Sequence, residues 1–135
     1  MVSKHKLHAI ALVSIAMVLM LVNIVSAASF SYIANSNDNT FSVIDTATNT
    51  VVATVNVGVT PQGVAVSLDG TTVYVANNGD NIVSVINTAT STVVATVPVG
   101  NGPSNVVVTP DGTSVDVTNE DGTVSVINTA TYTVT

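Results

Sequence analysis

The side chains of this sequence with the clearest chemical potential are its eight carboxylates, and most of them recur at one spacing. Asp38 and Asp80 are 42 residues apart, as are Asp69 and Asp111, and Asp121 lies close to the next equivalent position of the first pair. A catalytic acid and base must have different environments, so that their pKa values separate. Equivalent carboxylates have similar environments, so we expect structural turn roles and assign no catalytic residue and no cofactor-binding residue.

Asp38, Asp80 and Asp121 are the candidates for a weak metal site. Each lies in a segment rich in Asn and Asp, and neighbouring segments of this kind would bring several oxygen atoms together. Ca²⁺ takes six to eight such ligands, so Ca²⁺ is the one cofactor worth considering. The alternative is that Asn and Asp simply support tight turns, because no EF-hand-like or nonapeptide calcium spacing is present.

The basic residues are confined to the first eight positions, as Lys4, His5, Lys6 and His8. The remaining chain has all eight carboxylates and no Lys, Arg, His, Cys or Trp. It therefore lacks the cations that neutralise nucleic-acid phosphates or anionic lipid headgroups. It also lacks His and Cys metal ligands and Lys, His or Cys for catalysis. From this composition we expect a protein that binds no nucleic acid and is not an enzyme.

The N-terminal segment has the composition of an export signal. A basic start is followed by an almost entirely apolar run over residues 7–25 and then by Ser26, Ala27 and Ala28. We expect a hydrophobic helix over residues 1–27 that is cleaved after Ala27, or one residue later. The alternative is an uncleaved anchor, because 19 residues just span a bilayer. Either way, the rest of the chain is expected to be secreted or held at the cell surface.

Residues 28–135 form a repeated domain. Residues 32–73 and 74–115 align without a gap and are identical at 26 of 42 positions, and residues 116–135 begin a third copy. Val and Thr dominate, which favours strands over helices. Gly and Pro recur at fixed points and divide each period into four short strands. Several strands are apolar on both faces, which indicates antiparallel sheets stacked against one another.

These motifs resemble the YVTN-type β-propeller repeat of extracytoplasmic and archaeal surface-layer proteins. The resemblance covers about residues 30–135. It implies an all-β partial propeller of about two and a half four-stranded blades, exported to the cell surface. The matching motifs are the tetrads Tyr32–Asn35, Tyr74–Asn77 and Asp116–Asn119, the stretches Val43–Thr48, Val83–Thr90 and Val124–Thr131, and the segments Pro61–Gly70 and Pro103–Gly112.

Two departures from the pattern shape the functional expectation. Asp116 replaces the Tyr of the first two copies, and two and a half blades are too few to close a ring. Open blade edges invite pairing with another strand. We therefore expect a non-enzymatic surface module whose partners are other blades, copies of itself, or cell-wall and surface-layer components. The alternatives are a loop face that binds a cation or glycan, and a fragment of a propeller enzyme.

Overall fold

The computed structural model describes residues 29–135, and this part of the chain is built of β-strands and turns. The expected signal helix and its boundary at residue 27 lie outside the described residues. Within residues 29–135 no helix has the length and apolarity needed to cross a membrane.

Eleven strands form three antiparallel sheets in which each strand pairs with its neighbours in sequence. We call these sheets the first, second and third blade. The first blade contains β1 (Phe30–Asn35), β2 (Thr40–Asp45) and β3 (Thr50–Asn56); the second contains β4 (Pro61–Val66), β5 (Thr72–Asn77), β6 (Ile82–Asn87) and β7 (Thr92–Pro98); the third contains β8 (Pro103–Val108), β9 (Ser114–Asn119), β10 (Val124–Asn128) and β11 (Thr133–Val134).

The expected all-β fold with about two and a half blades is confirmed. Each sequence repeat starts on the second strand of a blade, so one blade takes residues from two repeats. In the described residues the first blade has three strands, and the last strand of the third blade is two residues long.

The turns follow the local chemistry of Asp-Gly pairs. Gly70, Gly112 and Gly122 have φ values of 73°, 71° and 85°, which residues other than glycine rarely adopt. Asn39 and Asn81 take similar left-handed conformations in the turns after β1 and β5. Asn tolerates this region better than most side chains. The sequence therefore positions the hairpins locally, before any contact between blades forms.

The hydrophobic core lies between the blades. Between the first and second blades it contains Phe41, Val43, Val55, Val73, Val75 and Ile86, and between the second and third Tyr74, Ala76, Val83, Val85, Val97, Val106, Val115, Val117 and Ile127. The second blade is thus buried on both faces, as its runs of apolar residues predict. Because each fully buried Val or Ile contributes about 1.5–3 kcal/mol, stacking supplies most of the stabilising energy.

The first strands of the second and third blades, β4 and β8, approach one another closely. A Cβ atom at Gly63 would lie 2.8 Å from the carbonyl oxygen of Ser104 and 2.9 Å from the Cα atom of Asn105. Both atoms belong to the backbone of β8, which cannot move aside as a flexible side chain would. The spacing between these blades therefore depends on glycine at position 63.

We expect Gly63→Ala to lower the free energy of unfolding by about 1–3 kcal/mol, because the added methyl group overpacks this contact. The control is Gln62→Ala on the same strand, where the side chain is exposed and the change should stay within about 0.5 kcal/mol. Chemical denaturation of both variants measures the difference. Equal stability of the two variants would show that β4 and β8 are not in close contact.

Candidate functional site

The turns rich in Asn and Asp lie beside the connections between blades, as the sequence predicts. We define the Asx loop face as turns 36–39, 78–81 and 120–123 together with connections 57–60 and 99–102. The backbone N–H groups of Asn78 and Gly79 donate to the carbonyl oxygens of Thr60 and Val59, at 3.0 and 2.9 Å. The N–H of Glu120 likewise donates to the carbonyl oxygen of Gly102 at 3.0 Å, so the turns of the second and third blades are each held against the connection that enters their own blade.

The buried amide of Asn77 joins the Asx loop face to two strands of the second blade. Its Nδ2 atom donates to Ser84 Oγ on β6 at 2.9 Å, and its Oδ1 atom accepts from the backbone N–H of Gly58 at 3.0 Å. Asn77 and Ser84 are 0% and 1% exposed. A Cβ atom on Gly58 would lie 2.7 Å from Asn77 Cγ, so only glycine lets the connection approach this amide. Asn77 thus links two strands of one blade to the connection from the blade before it.

The other blades repeat this arrangement with changes. Asn35 Nδ2 donates to Ser42 Oγ at 2.8 Å, and Asn119 Nδ2 donates to Ser125 Oγ at 3.0 Å. In the third blade the backbone N–H of Gly100 donates to Ser125 Oγ, also at 3.0 Å, instead of to the amide. Asn119 Oδ1 consequently has no partner within residues 29–135. These asparagines end the three tetrads of the repeat, and the sequence signal for their buried role is their recurrence seven or six residues before a Ser.

A second set of bonds runs forward from each turn to the next blade. Asn39 Oδ1 accepts from the N–H of Thr60, and Asn81 Oδ1 accepts from the N–H of Gly102, both at 2.9 Å. Asn side chains therefore satisfy backbone donors that would otherwise be unpaired at the blade boundary.

Two further side chains cross the same boundaries. Ser36 Oγ donates to the carbonyl oxygen of Pro61 at 2.5 Å, and Asn78 Nδ2 donates to that of Pro103 at 3.4 Å. These two positions are equivalent in the repeat, so each boundary has a donor that reaches into the following blade.

The three metal candidates lie in three separate turns. Asp38 and Asp80 are exposed, and Asp80 Oδ1 lies beside Gly58. Asp121 uses both oxygens: Oδ1 accepts from the N–H of Thr123 at 3.0 Å, and Oδ2 accepts from the N–H of Asn101 at 3.0 Å. In the part of the chain that the structure describes, no three acidic side chains gather as a metal site would require. Binding of Ca²⁺ stays an untested prediction.

Asp69 is the carboxylate whose acidity the fold changes most. Its Oδ1 atom accepts bonds from Ser67 Oγ at 2.6 Å, from the N–H of Thr71 at 3.0 Å and from Thr71 Oγ1 at 2.8 Å. These donors stabilise the ionised form, the Ser67 hydroxyl most strongly, and lower the pKa of Asp69 to about 2. The equivalent Thr109 hydroxyl lowers the pKa of Asp111. Both carboxylates therefore act as turn-forming acceptors that stay ionised at neutral pH.

The comparisons with known proteins show the fold. No family model matches the chain, and no curated protein matches it. Hydrazine synthase from Kuenenia stuttgartiensis is similar in structure, with a TM-score of 0.77 and 28% identity over 79% of this chain. A protein of unknown function from Desulfotomaculum acetoxidans is similar with a TM-score of 0.68 and 26% sequence identity over 78% of this chain. The dihydro-heme d1 dehydrogenase NirN is similar with a TM-score of 0.71 and 23% sequence identity over 82% of this chain, and this similarity supports the fold alone.

The chain spans 31%, 36% and 24% of the lengths of these three proteins. Hydrazine synthase and NirN are β-propeller proteins, so the three blades are a β-propeller segment. Both proteins are also enzymes. The expectation that the protein is not an enzyme, which rests on the absence of Lys, His and Cys in residues 29–135, is therefore wrong. A propeller blade can belong to an enzyme without carrying any catalytic side chain itself.

We expect the Asp69 carboxyl to titrate at about pH 2, and Ser67→Ala to raise its midpoint, because the variant loses the strongest donor. Since its pKa is depressed, Asp69 stabilises the fold above the ordinary aspartate pKa of about 4, and this stabilisation disappears as the pH falls through about 2. NMR titration of the carboxyl carbons measures the midpoints. Asp111 is the internal control, and a shift of its midpoint in the Ser67 variant would contradict a local cause.

Removing the buried amide should cost more in the second blade than in the first. Asn77→Ala leaves the N–H of Gly58 without its acceptor and Ser84 without its donor, and should cost about 2–5 kcal/mol of unfolding free energy. Asn35→Ala is the matched control, since Asn35 is half-buried and, within residues 29–135, its side chain bonds only to Thr40 and Ser42 of its own blade; about 1 kcal/mol is expected. Denaturation curves compare the two. Equal losses would mean that the bond to the blade connection contributes nothing.

Proposed function

We propose that this chain is an exported β-propeller segment of the YVTN surface type, and that its function is to complete a propeller at the cell surface with further blades. The observation that carries this proposal is the open edge of β1. Its equivalents β5 and β9 each pair with a preceding strand, β4 and β8, whereas in the described residues β1 pairs only with β2.

The exposed side chains at both ends of the stack support the same function. Ile33 on β1 is 47% exposed, whereas its equivalents Val75 and Val117 are fully buried against the preceding blade. Val124 on β10 is 61% exposed, whereas its equivalent Val83 is fully buried. An unpaired strand edge beside uncovered apolar residues is a surface that another strand and another blade can cover.

A second candidate follows from the comparisons: the completed propeller is a domain of an enzyme. Hydrazine synthase, whose TM-score is 0.77, supports this candidate. Residues 29–135 contribute no His, Cys, Lys or Arg. In such an enzyme these blades would therefore act as a scaffold, and the reacting groups would come from other parts of the assembly.

Hydrogen exchange on the full chain tests the proposed function. In the purified chain the amides of β1 that face its open edge should exchange rapidly, whereas those of the central strand β5 should be protected. In native material isolated from the producing cells, the same β1 amides should become protected while β5 stays unchanged. Rapid exchange of β1 in the native material would overturn the proposal. A visible haem absorption band in that material would favour the enzyme candidate, and its absence would weigh against a haem enzyme.

A further inference from the structure

The third blade ends in a face that no other described residue covers. Strand register places Val107, Asp116 and Val126 side by side across this blade, and Asn105, Thr118 and Val124 in the next row. Directly opposed residues of an antiparallel sheet project from the same face. We define these six residues as the open face. Val107 and Val124 are 54% and 61% exposed, so the open face keeps a substantial apolar area.

The equivalent face of the second blade shows what such a surface normally contains. There Ala65, Tyr74 and Val85 are opposed in the same register. Tyr74 is 2% exposed, because the third blade covers it. Asp116 occupies the position of Tyr74. A blade of the same kind stacked on the open face would therefore bury a carboxylate, which is costly unless a cation or several donors pair with it.

Glu120 changes the second contact across the boundary. Its equivalents Ser36 and Asn78 donate to the carbonyl oxygens of Pro61 and Pro103 in the following blade. A carboxylate cannot donate in this way at neutral pH. The Glu120 side chain instead accepts from Asn78 Nδ2 at 3.0 Å, on the preceding blade. Position 120 therefore lacks the donor that the first two blades direct toward the blade that follows.

Gly122 removes the third contact. It has the positive φ of Asn39 and Asn81 at the matching place in the turn, but no side chain to accept a bond from the next connection. The contacts that Tyr74, Asn78 and Asn81 make with the blade that follows are thus all altered at the equivalent positions of the third blade. The open face therefore presents the Asp116 carboxylate beside exposed valines.

We propose that the open face binds a partner β-sheet that presents a Lys or Arg side chain to Asp116, and not a second copy of residues 29–135. Charge complementarity carries the inference. Residues 29–135 contain eight carboxylates and no Lys, Arg or His, so a second copy of this part of the chain supplies no counter-charge and adds like charge. The apolar residues of the open face supply the contact area, and the Asp116 carboxylate selects the partner. The inference rests on the proposed function, since it identifies what completes the propeller at this end.

The chain itself provides the probe, through a lysine introduced on the first blade. Ile33 lies on the uncovered side of that blade, at the position whose equivalents face the preceding blade. A copy with Ile33→Lys therefore presents one cation to the open face of another copy. All variants are studied as full chains in the same non-ionic detergent, so that their shared N-terminal segment contributes equally.

Sedimentation velocity should show at least about 10-fold stronger association for Ile33→Lys than for the unaltered chain, corresponding to about 1.4 kcal/mol. The effect should weaken as salt is raised, because the attraction is screened. Ile33→Ser is the matched control without charge and should not associate. Adding Asp116→Asn to Ile33→Lys should return association to the level of the control.

Three results would overturn the inference. Strong association of the unaltered chain would show that a second copy is the partner. Equal association of the Lys and Ser variants would show that the open face does not select a cation. Association of the Lys variant that survives Asp116→Asn would place the contact elsewhere. These association results do not bear on the hydrogen exchange of β1 in native material. The proposed function is therefore tested independently of this inference.

Discussion

The buried amide of Asn77 is the interaction on which the order of the blades depends. A β-propeller stacks sheets whose facing side chains are mostly valine, and such surfaces slide easily because their contacts are non-directional. The bonds from Asn77 to Ser84 and from Gly58 to Asn77 are directional and lie where water cannot replace them. They couple the pairing of two strands to the entry of the chain into the blade.

Blade stacking and side-chain hydrogen bonds make different contributions to the fold. The interfaces that contain Phe41 and Tyr74 supply apolar burial, which a single blade cannot achieve because its apolar faces need a neighbouring sheet to cover them. Turn aspartates such as Asp69 close the hairpins from within and remain local, with no partner on another blade. Glycines at the boundaries, Gly58 and Gly63, set how near one blade comes to the next. The middle blade, covered on both sides, is consequently the most completely buried part of the described chain.

The two ends of the blade stack differ in charge. Every ionisable group of residues 29–135 except tyrosine is acidic, and the third blade alone replaces a packing tyrosine with Asp116 and a forward donor with Glu120. The first blade instead presents Ile33 beside the edge of β1 that pairs with no other strand of residues 29–135. The two ends therefore differ in chemistry although they derive from the same repeat. The similar structures include enzymes.

The sequence by itself determined the repeat, the strands and the turns, because valine-rich runs and Asp-Gly pairs act through local conformational preference. It also indicated that neighbouring segments rich in Asn and Asp lie close together. Only the tertiary structure decided that Asn77 accepts from the N–H of Gly58, whereas Asn119 Oδ1 has no partner among residues 29–135, because such bonds join a blade to the connection that enters it. It alone decided which side of each blade is covered, and so that Asp116 lies on an uncovered one. Strand alternation tells which residues share a face, but not which blade, if any, lies against it.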